Sequence, residues 1–452
     1  MKKNNRNLVL SLLLFTGFFS AATYLIGIQQ GQILSPKESH KWNNVNIVLE
    51  HLLSNYVDSL ETKNLSEKAI NNILKDLDPH STFIPSNQRI RLNESLVGHF
   101  GGIGIRFMIY NDTLTVVDVI DNGPSKAADI KKRDRIISID QENVAGINLK
   151  TEDVLKKLKG IIGSPVILTI LKPNKTIVSK TIIRGAIPLK SVPAFTMLNN
   201  EIGYIKISSF SNTTDLEFKA ALQDIVNKGA KNLVLDLRFN GGGYLHQAIN
   251  IVDEFLNKNQ LIVYTEGAHS QKRSFYATNQ GLFKDGKLII LVNSSTASAS
   301  EIVSGAIQDN KRGKILGRRT FGKGLVQQPL ILPDSSEVRI TTSRYYTPSG
   351  KCIQKPYGDS INYENDLFDR IESGELTNND SMLDQSKFKG GIIPDVYSPI
   401  DTVNYNDLVN KIIYTRKWRD FCFSYYEKYP HHDHSDVKEF YYKFKLKNNE
   451  LE

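Results

Sequence analysis

Cysteine is scarce: Cys352 and Cys422 are the only two in 452 residues, and they show no Cys-x-x-Cys spacing. That excludes a disulfide framework and a thiolate-built structural zinc site, while the two thiols can pair or stay free. Blocks of like charge are also missing. The 57 Lys and Arg outnumber the 48 Asp and Glu for a formal net charge of +9, but the cations are scattered along the chain. Without a basic cluster, a zinc-finger spacing or an RNA-reading signature, nucleic acid is not the expected partner. The histidines form no familiar catalytic pattern. His40, His51, His80, His99, His246 and His269 stand in dissimilar contexts, none paired with a nucleophile motif. His431-His432-Asp433-His434 lies in a polar tail and lacks a further ligand at firm spacing. A histidine triad and metal catalysis are set aside, and neither cofactor nor metal is expected.

What is present is globular in texture, with 40% hydrophobic and 23% charged residues in a chain long enough for two or three folded units. One long uncharged run stands out. Leu8 to Ile28, 21 residues behind Lys2, Lys3 and Arg6, is long enough as a helix to cross a hydrocarbon core of about 30 Å. We read residues 1–28 as an uncleaved membrane anchor in preference to a signal peptide, although Ser20-Ala21-Ala22 offers a cleavage site. With the positive end inside, the remainder faces the periplasm or the exterior, and the expected location is the bacterial inner membrane, facing the periplasm.

Residues 29–95 show helical spacing at Ile47, Leu49, Leu52, Leu53 and Val57 and read as a helical arm, closing on the turn-forming Leu77-Asp78-Pro79-His80-Ser81. Residues 96–185 change to short strands, at Ile103–Ile109, Leu114–Val119, Arg135–Ile139 and Val166–Leu171, with one helix at Thr151–Lys159. Gly101-Gly102-Ile103-Gly104-Ile105 opens this region. A glycine-rich loop before a strand can aim several backbone amides at one anion, a carboxylate being the natural guest, although on the loop alone a plain glycine turn is the simpler reading; before a helix it would instead suit a dinucleotide. Residues 186–400 alternate strands and helices, an α/β core: strands at Tyr204–Phe210, Leu233–Leu237, Leu288–Val292, Leu325–Leu332 and Val338–Tyr346, helices at Thr214–Asn227, Ala248–Leu256 and Glu301–Ile307. Residues 401–452 form a basic, aromatic-rich helical tail.

Two segments carry chemistry. Asn293-Ser294-Ser295-Thr296-Ala297-Ser298-Ala299-Ser300-Glu301 lies between a buried strand and a helix. A serine at such a junction can attack while a first-turn amide, that of Ala299, receives the oxyanion; helix capping by Ser295, Thr296 or Ser298 is the plainer reading. Phe321-Gly322-Lys323-Gly324 holds a lysine between glycines. Lys323 can act as a base only when neutral, which requires burial to draw its pKa down from about 10.4; a solvated turn lysine is the alternative. Gln327 lies four residues on, and a strand period of two would point both side chains to one face. Asp236 to Gly243 ends another strand with three glycines, a turn able to present a second amide to an oxyanion, or simply the turn between strand and helix.

With these residues assembled, the chain resembles the carboxy-terminal processing peptidases, also called tail-specific proteases, from about residue 40 to 400. The resemblance rests on Leu77–Ser81, Gly101–Ile105, Asp236–Gly243, Thr296–Ile302, Phe321–Gly324 with Gln327, Tyr345–Gly350 and Gly391–Asp395. It implies a ClpP/crotonase-like α/β peptidase core with an inserted PDZ-like β-rich domain. It further implies Ser298 as nucleophile, Lys323 as base, Gln327 as its orienting partner, Ala299 and Gly242 as oxyanion donors, and Gly102, Ile103, Gly104 and Ile105 as the loop that binds a substrate's C-terminal carboxylate. Two positions depart from the family's pattern: Gly241 stands where proline is usual, and Lys132-Arg133-Asp134 lacks the usual glycine before the aspartate. The implied partners are protein or peptide substrates with free C-termini, the membrane, and a second copy or an adaptor. The function expected is a serine endopeptidase acting on tails of envelope proteins. The alternatives are a catalytically silent PDZ scaffold at the membrane and a crotonase-type acyl-transfer enzyme.

Overall fold

The computed structural model describes residues 36–358, 363–377, 390–400, 407–415, 417–429 and 437–445. The expected anchor and the His431–His434 cluster lie outside them. Among the described residues no helix is long and apolar enough to cross a membrane. Cys352 and Cys422 are both free and exposed.

The chain divides into two compact units, Met1–Ile73 and Leu74–Glu452. Helix α1 (Pro36–Asn55) lies in the first, and α2 (Thr62–Lys75) runs across the division. Helical spacing in this stretch is matched by helix, but α1 leaves Val45, Ile47, Val48 and Leu53 exposed.

The second unit begins with a feature that alternation did not reveal. After the turn at Asp78–Ser81 comes strand β1 (Thr82–Ile84), then helix α3 (Ser86–Val97) and strand β2 (His99–Gly102). A β-rich insertion comes next: β3 (Ile105–Tyr110), β4 (Thr113–Val119), short α4 (Pro124–Ala127), β5 (Arg135–Ile139), β6 (Glu142–Asn143), α5 (Thr151–Leu158), β7 (Pro165–Leu171) and β8 (Ile177–Ile183). Its strands run in the order β3-β4-β5-β7-β8 with β6 on β5, all antiparallel. The period of two decides which side chains go inside. In β7, Val166, Leu168 and Ile170 are fully buried while their neighbours face out, and α5 lays Val154 and Leu158 on the same core. Each such side chain is worth about 1.5–3 kcal/mol of burial. The insertion's two chain ends meet in a ribbon, because β9 (Gly185–Pro188) pairs with β2, Gly102 opposite Gly185.

The α/β core comprises β10 (Ala194–Met197), β11 (Ile202–Lys206), α6 (Thr214–Asn227), β12 (Asn232–Asp236), α7 (Leu245–Asp253), β13 (Leu261–Gly267), β14 (Ser270–Tyr276), β15 (Lys287–Val292), α8 (Ala299–Asp309), β16 (Lys314–Gly317), β17 (Leu325–Ile331) and β18 (Glu337–Tyr346). Helix α9 (Asp366–Glu372) and strand β19 (Val396–Tyr397) close it. One sheet has the order β10-β11-β12-β15-β16-β19, parallel from β11 onward. Parallel strands covered by crossover helices read as apolar runs, as Leu233-Val234-Leu235 and Leu288-Ile289-Ile290 do. Strand β11 stops at Lys206, short of the expected Phe210, because the chain leaves the sheet to donate from Ser208 to the Ser191 carbonyl and from Phe210 to that of Gly242. The second sheet is antiparallel, β1-β18-β13-β14 with β17 on β18.

The tail supplies α10 (Asp407–Tyr414), α11 (Lys417–Lys428) and α12 (Val437–Lys443). From α11, Phe423 packs on Tyr110 with ring centroids 4.8 Å apart, and Glu427 lies 3.4 Å from Arg135, so this helix rests on the β-rich insertion.

Candidate active site

In an open parallel sheet the carboxyl ends of the strands carry the loops that meet ligands, because every strand ends on the same edge. Here three neighbouring strand ends supply the glycine turn, the serine loop and the lysine loop. β12 runs into the Asn240–Gly243 turn, β15 into Asn293–Ser298, and β16 into Phe321–Gly324.

Ser298 caps α8 with φ 58° and ψ −116°, a left-handed region that a residue with a Cβ enters at a cost of about 1–3 kcal/mol. The loop before it is pinned. Thr296 Oγ1 donates to the Leu237 carbonyl at 2.9 Å, and the Ala297 N–H donates to the Asn240 carbonyl at 3.0 Å. The N–H of Ala299, in the first helical turn, finds no acceptor among the described residues.

Glu301 is the fastening that sequence reasoning missed. Fully buried, its carboxylate accepts the N–H of Ser298 and of Lys323 at 2.8 Å each, that of Gly322 at 2.7 Å, and the Thr320 hydroxyl. One side chain thus staples the serine loop to the lysine loop. Burial pushes its carboxyl up to about 7 against the pull of those donors. The Ser-x-x-Glu spacing of Ser298 and Glu301 is a capping-box signature, and that signal was available.

The Lys323 amine donates to Gln327 Oε1 at 3.1 Å. The expectation of a shared face is met by other means, since Lys323 precedes β17 and a register shift at Val326/Gln327 interrupts its period of two. The Gln327 amide in turn donates to the His80 carbonyl. Burial lowers the Lys323 pKa, as does the Arg339 cation, while Asp78 and Glu301 oppose them.

Tyr345, also unforeseen, holds the serine hydroxyl. Its hydroxyl lies 2.6 Å from the Lys323 carbonyl and 2.9 Å from Ser298 Oγ. The phenol is the donor to both, so its single proton is shared between the Lys323 carbonyl and Ser298 Oγ. Burial pushes the Tyr345 hydroxyl well above its usual range, so it keeps that proton. Ser298 and Lys323 line one cavity of about 730 Å³ with Gly242, Ala299, Gln327 and Tyr345, but no hydrogen bond joins the two side chains.

In the glycine turn the amide expected to serve, that of Gly242, is engaged. Its N–H already donates to Asn240 Oδ1 at 2.9 Å, whereas those of Gly241 and Gly243 find no acceptor among the described residues. The polar side chain two residues upstream closes the turn on itself. At the head of β12, the Asp236 carboxylate is held down to about 2: burial alone would raise it, but hydrogen bonds from Arg238 and Tyr204 outweigh that.

In the β-rich insertion, Gly102 and Ile105 are ladder residues, opposite Gly185 and Val119. Between them, Ile103 and Gly104 have N–H groups without an acceptor among the described residues, while their carbonyls accept from Ser125 and Ile120. Gly104 has φ +79°, which favours glycine. Strand β3, which this loop opens, is an edge strand.

Comparison with known proteins gives two family matches. Residues 201–361 match peptidase family S41, and residues 101–181 match the PDZ domain. A carboxy-terminal-processing protease of Bartonella bacilliformis is 37% identical over 316 residues, 68% of this chain and 71% of that protein. The carboxy-terminal processing protease CtpA of Bacillus subtilis is 31% identical over 349 residues, 76% of this chain and 74% of that one. Among solved structures, the photosystem II D1 C-terminal processing protease is 25% identical with a TM-score of 0.44, covering 77% of this chain and 85% of that one. The chain belongs to the carboxy-terminal processing proteases, serine peptidases of family S41 that carry a PDZ domain.

Proposed function

We propose that this enzyme cleaves protein substrates with a Ser298/Lys323 dyad after its PDZ domain has captured their free C-terminus. The observation that carries the reading is the Lys323 amine, its pKa lowered by burial, held by the uncharged Gln327 carbonyl in the cavity that Ser298 also lines. A neutral amine can take a hydroxyl proton; an ammonium cannot.

In this reading Ser298 Oγ turns from Tyr345 toward Lys323 and bonds to the scissile carbonyl carbon as its proton passes to Nζ. The oxyanion is received by the Ala299 N–H and by the Asn240–Gly243 turn, where Gly242 serves only if it releases Asn240. Lys323 then returns the proton to the leaving amine as the C–N bond breaks, and water regenerates Ser298 by the same route. A substrate tail adds to the outer edge of β3, with its terminal carboxylate on the unspent amides of Ile103 and Gly104. The core is of the ClpP/crotonase-like class. Residues 8–28 anchor it at the bacterial inner membrane facing the periplasm, tails of envelope proteins are the substrates, and the exposed apolar residues of α1 favour a second copy or an adaptor.

The test is digestion of a tailed unfolded protein by the parent, Ser298→Ala and Lys323→Ala. Loss of cleavage in both variants with tail binding retained supports the reading. Cleavage undiminished in either one refutes it.

A further inference from the structure

The Leu77–Ser81 turn does more than connect α2 to β1. Asp78 is buried, and its Oδ1 accepts the N–H groups of His80 at 2.8 Å and Ser81 at 2.9 Å, while Oδ2 accepts the Ser81 hydroxyl at 2.6 Å. Three bonds to one carboxylate close the turn. The turn is also braced from outside. Ser81 Oγ accepts the Thr341 N–H at 3.2 Å, His80 Nε2 meets the Tyr363 hydroxyl at 2.8 Å, and β1 pairs Thr82 with Arg339 of β18.

What the brace holds is the His80 carbonyl, which accepts from Gln327 Nε2. A backbone carbonyl is acceptor-only, so the amide's NH₂ end must face it and Oε1 must face Lys323. That orientation matters for a neutral amine, which has two N–H donors and one lone pair. Facing Oε1, Lys323 spends an N–H and keeps its lone pair for a proton. Facing NH₂, it would spend the lone pair.

We infer that the Asp78–Ser81 turn is a positioning element of the active site, in which Asp78 fixes the His80 carbonyl, the carbonyl fixes the Gln327 amide, and the amide leaves the Lys323 lone pair open. The inference rests on Lys323 being the base. The charged and titratable groups facing Lys323 are Arg339 from β18, Glu301 from α8, and Asp78 and His80 from the turn; Lys355 acts on His80. Of these, the anions Asp78 and Glu301 hold the amine's pKa up.

The test uses full-length enzyme, a tailed peptide substrate and a fluorophosphonate that titrates competent Ser298. Asp78→Asn keeps one acceptor oxygen and removes the charge, so the acid limb of kcat/KM moves to lower pH by roughly half a unit, less than the shift from a carboxylate in direct contact. Asp78→Ala removes the whole brace, so kcat per titrated site falls at least tenfold with KM changed less, and Asp78→Glu recovers more than Asp78→Asn. A merely structural Asp78 would lower the titratable fraction and leave the per-site kcat unmoved; that result overturns the inference. Should Asp78→Ala fail to fold, the per-site kcat of Asp78→Asn against Asp78→Glu decides. Lys323→Ala is run beside them: if it still turns over, the base assignment is wrong and the inference falls with it, whereas an inactive Lys323→Ala with parent-like Asp78 variants sinks only the inference.

Discussion

Replacing Gly242 by alanine tests how closely the glycine turn approaches the nucleophile. Its φ is +98°, and a Cβ built there would lie 2.7 Å from Ser298 Cβ, 2.8 Å from the Ala297 carbonyl and 3.0 Å from the Ala299 nitrogen. None of these is the far end of a flexible side chain. The unfavourable backbone conformation costs about 1–3 kcal/mol. Overpacking against the serine loop adds about 1–3 kcal/mol. The sum, roughly 2–6 kcal/mol, lowers Tm by roughly 4–24 °C at 2–4 °C per kcal/mol. The neighbouring Gly241 has open space around its would-be Cβ and no positive φ, so Gly241→Ala stays within about 0.5 kcal/mol of the parent. Calorimetry reads the stability, and the rate of fluorophosphonate labelling at Ser298 reads the site, which in Gly242→Ala slows more than the loss of folded protein explains. A Gly242→Ala enzyme that melts within about 2 °C of the parent and labels at the parent's rate would show that the turn and the serine do not meet as described.

Lys323→Arg keeps a cation that cannot lose its proton, so peptidase activity should drop to that of Ser298→Ala, as a digestion assay would show. Glu301→Ala leaves the N–H groups of Ser298, Gly322 and Lys323 without their shared acceptor. Since one hydrogen bond to a charged group is worth about 1.5–3 kcal/mol, Ser298 labelling should slow by roughly tenfold or more. Burial, then the Lys323 cation, lowers the His80 pKa from 6.5 to about 4. A histidine kept neutral in the fold costs nothing above its unfolded value, so its contribution is lost as the pH falls from about 6.5 toward 4. Glu301, raised from 4.5 to about 7, titrates with the opposite sign. The quantity to follow is therefore the Tm of the parent minus that of His80→Gln, which should shrink on acidification; a constant difference would contradict it.

Much of this enzyme is legible in its residues because local periodicity has local causes. Thr214–Asn227 is helical over the range its spacing indicated, and β7 buries every second residue as its alternation requires. The apolar run before Ser298 and the glycines about Lys323 mark strand ends where backbone must turn sharply. Pattern alone did not show β1, a three-residue strand whose ladder partner lies more than 250 positions away in β18. Nor did it show that Asn240 takes the Gly242 amide, that Tyr345 holds the serine hydroxyl, or that the His80 carbonyl turns the Gln327 amide.

The amino-acid order by itself determined which segments become strand, helix and glycine turn, and which residues have the chemistry of nucleophile and base. Only the tertiary structure decided which donors meet which acceptors. Hydrogen-bond direction depends on atoms brought together from distant segments, and no spacing along the chain encodes whether a given amide is free or already spent.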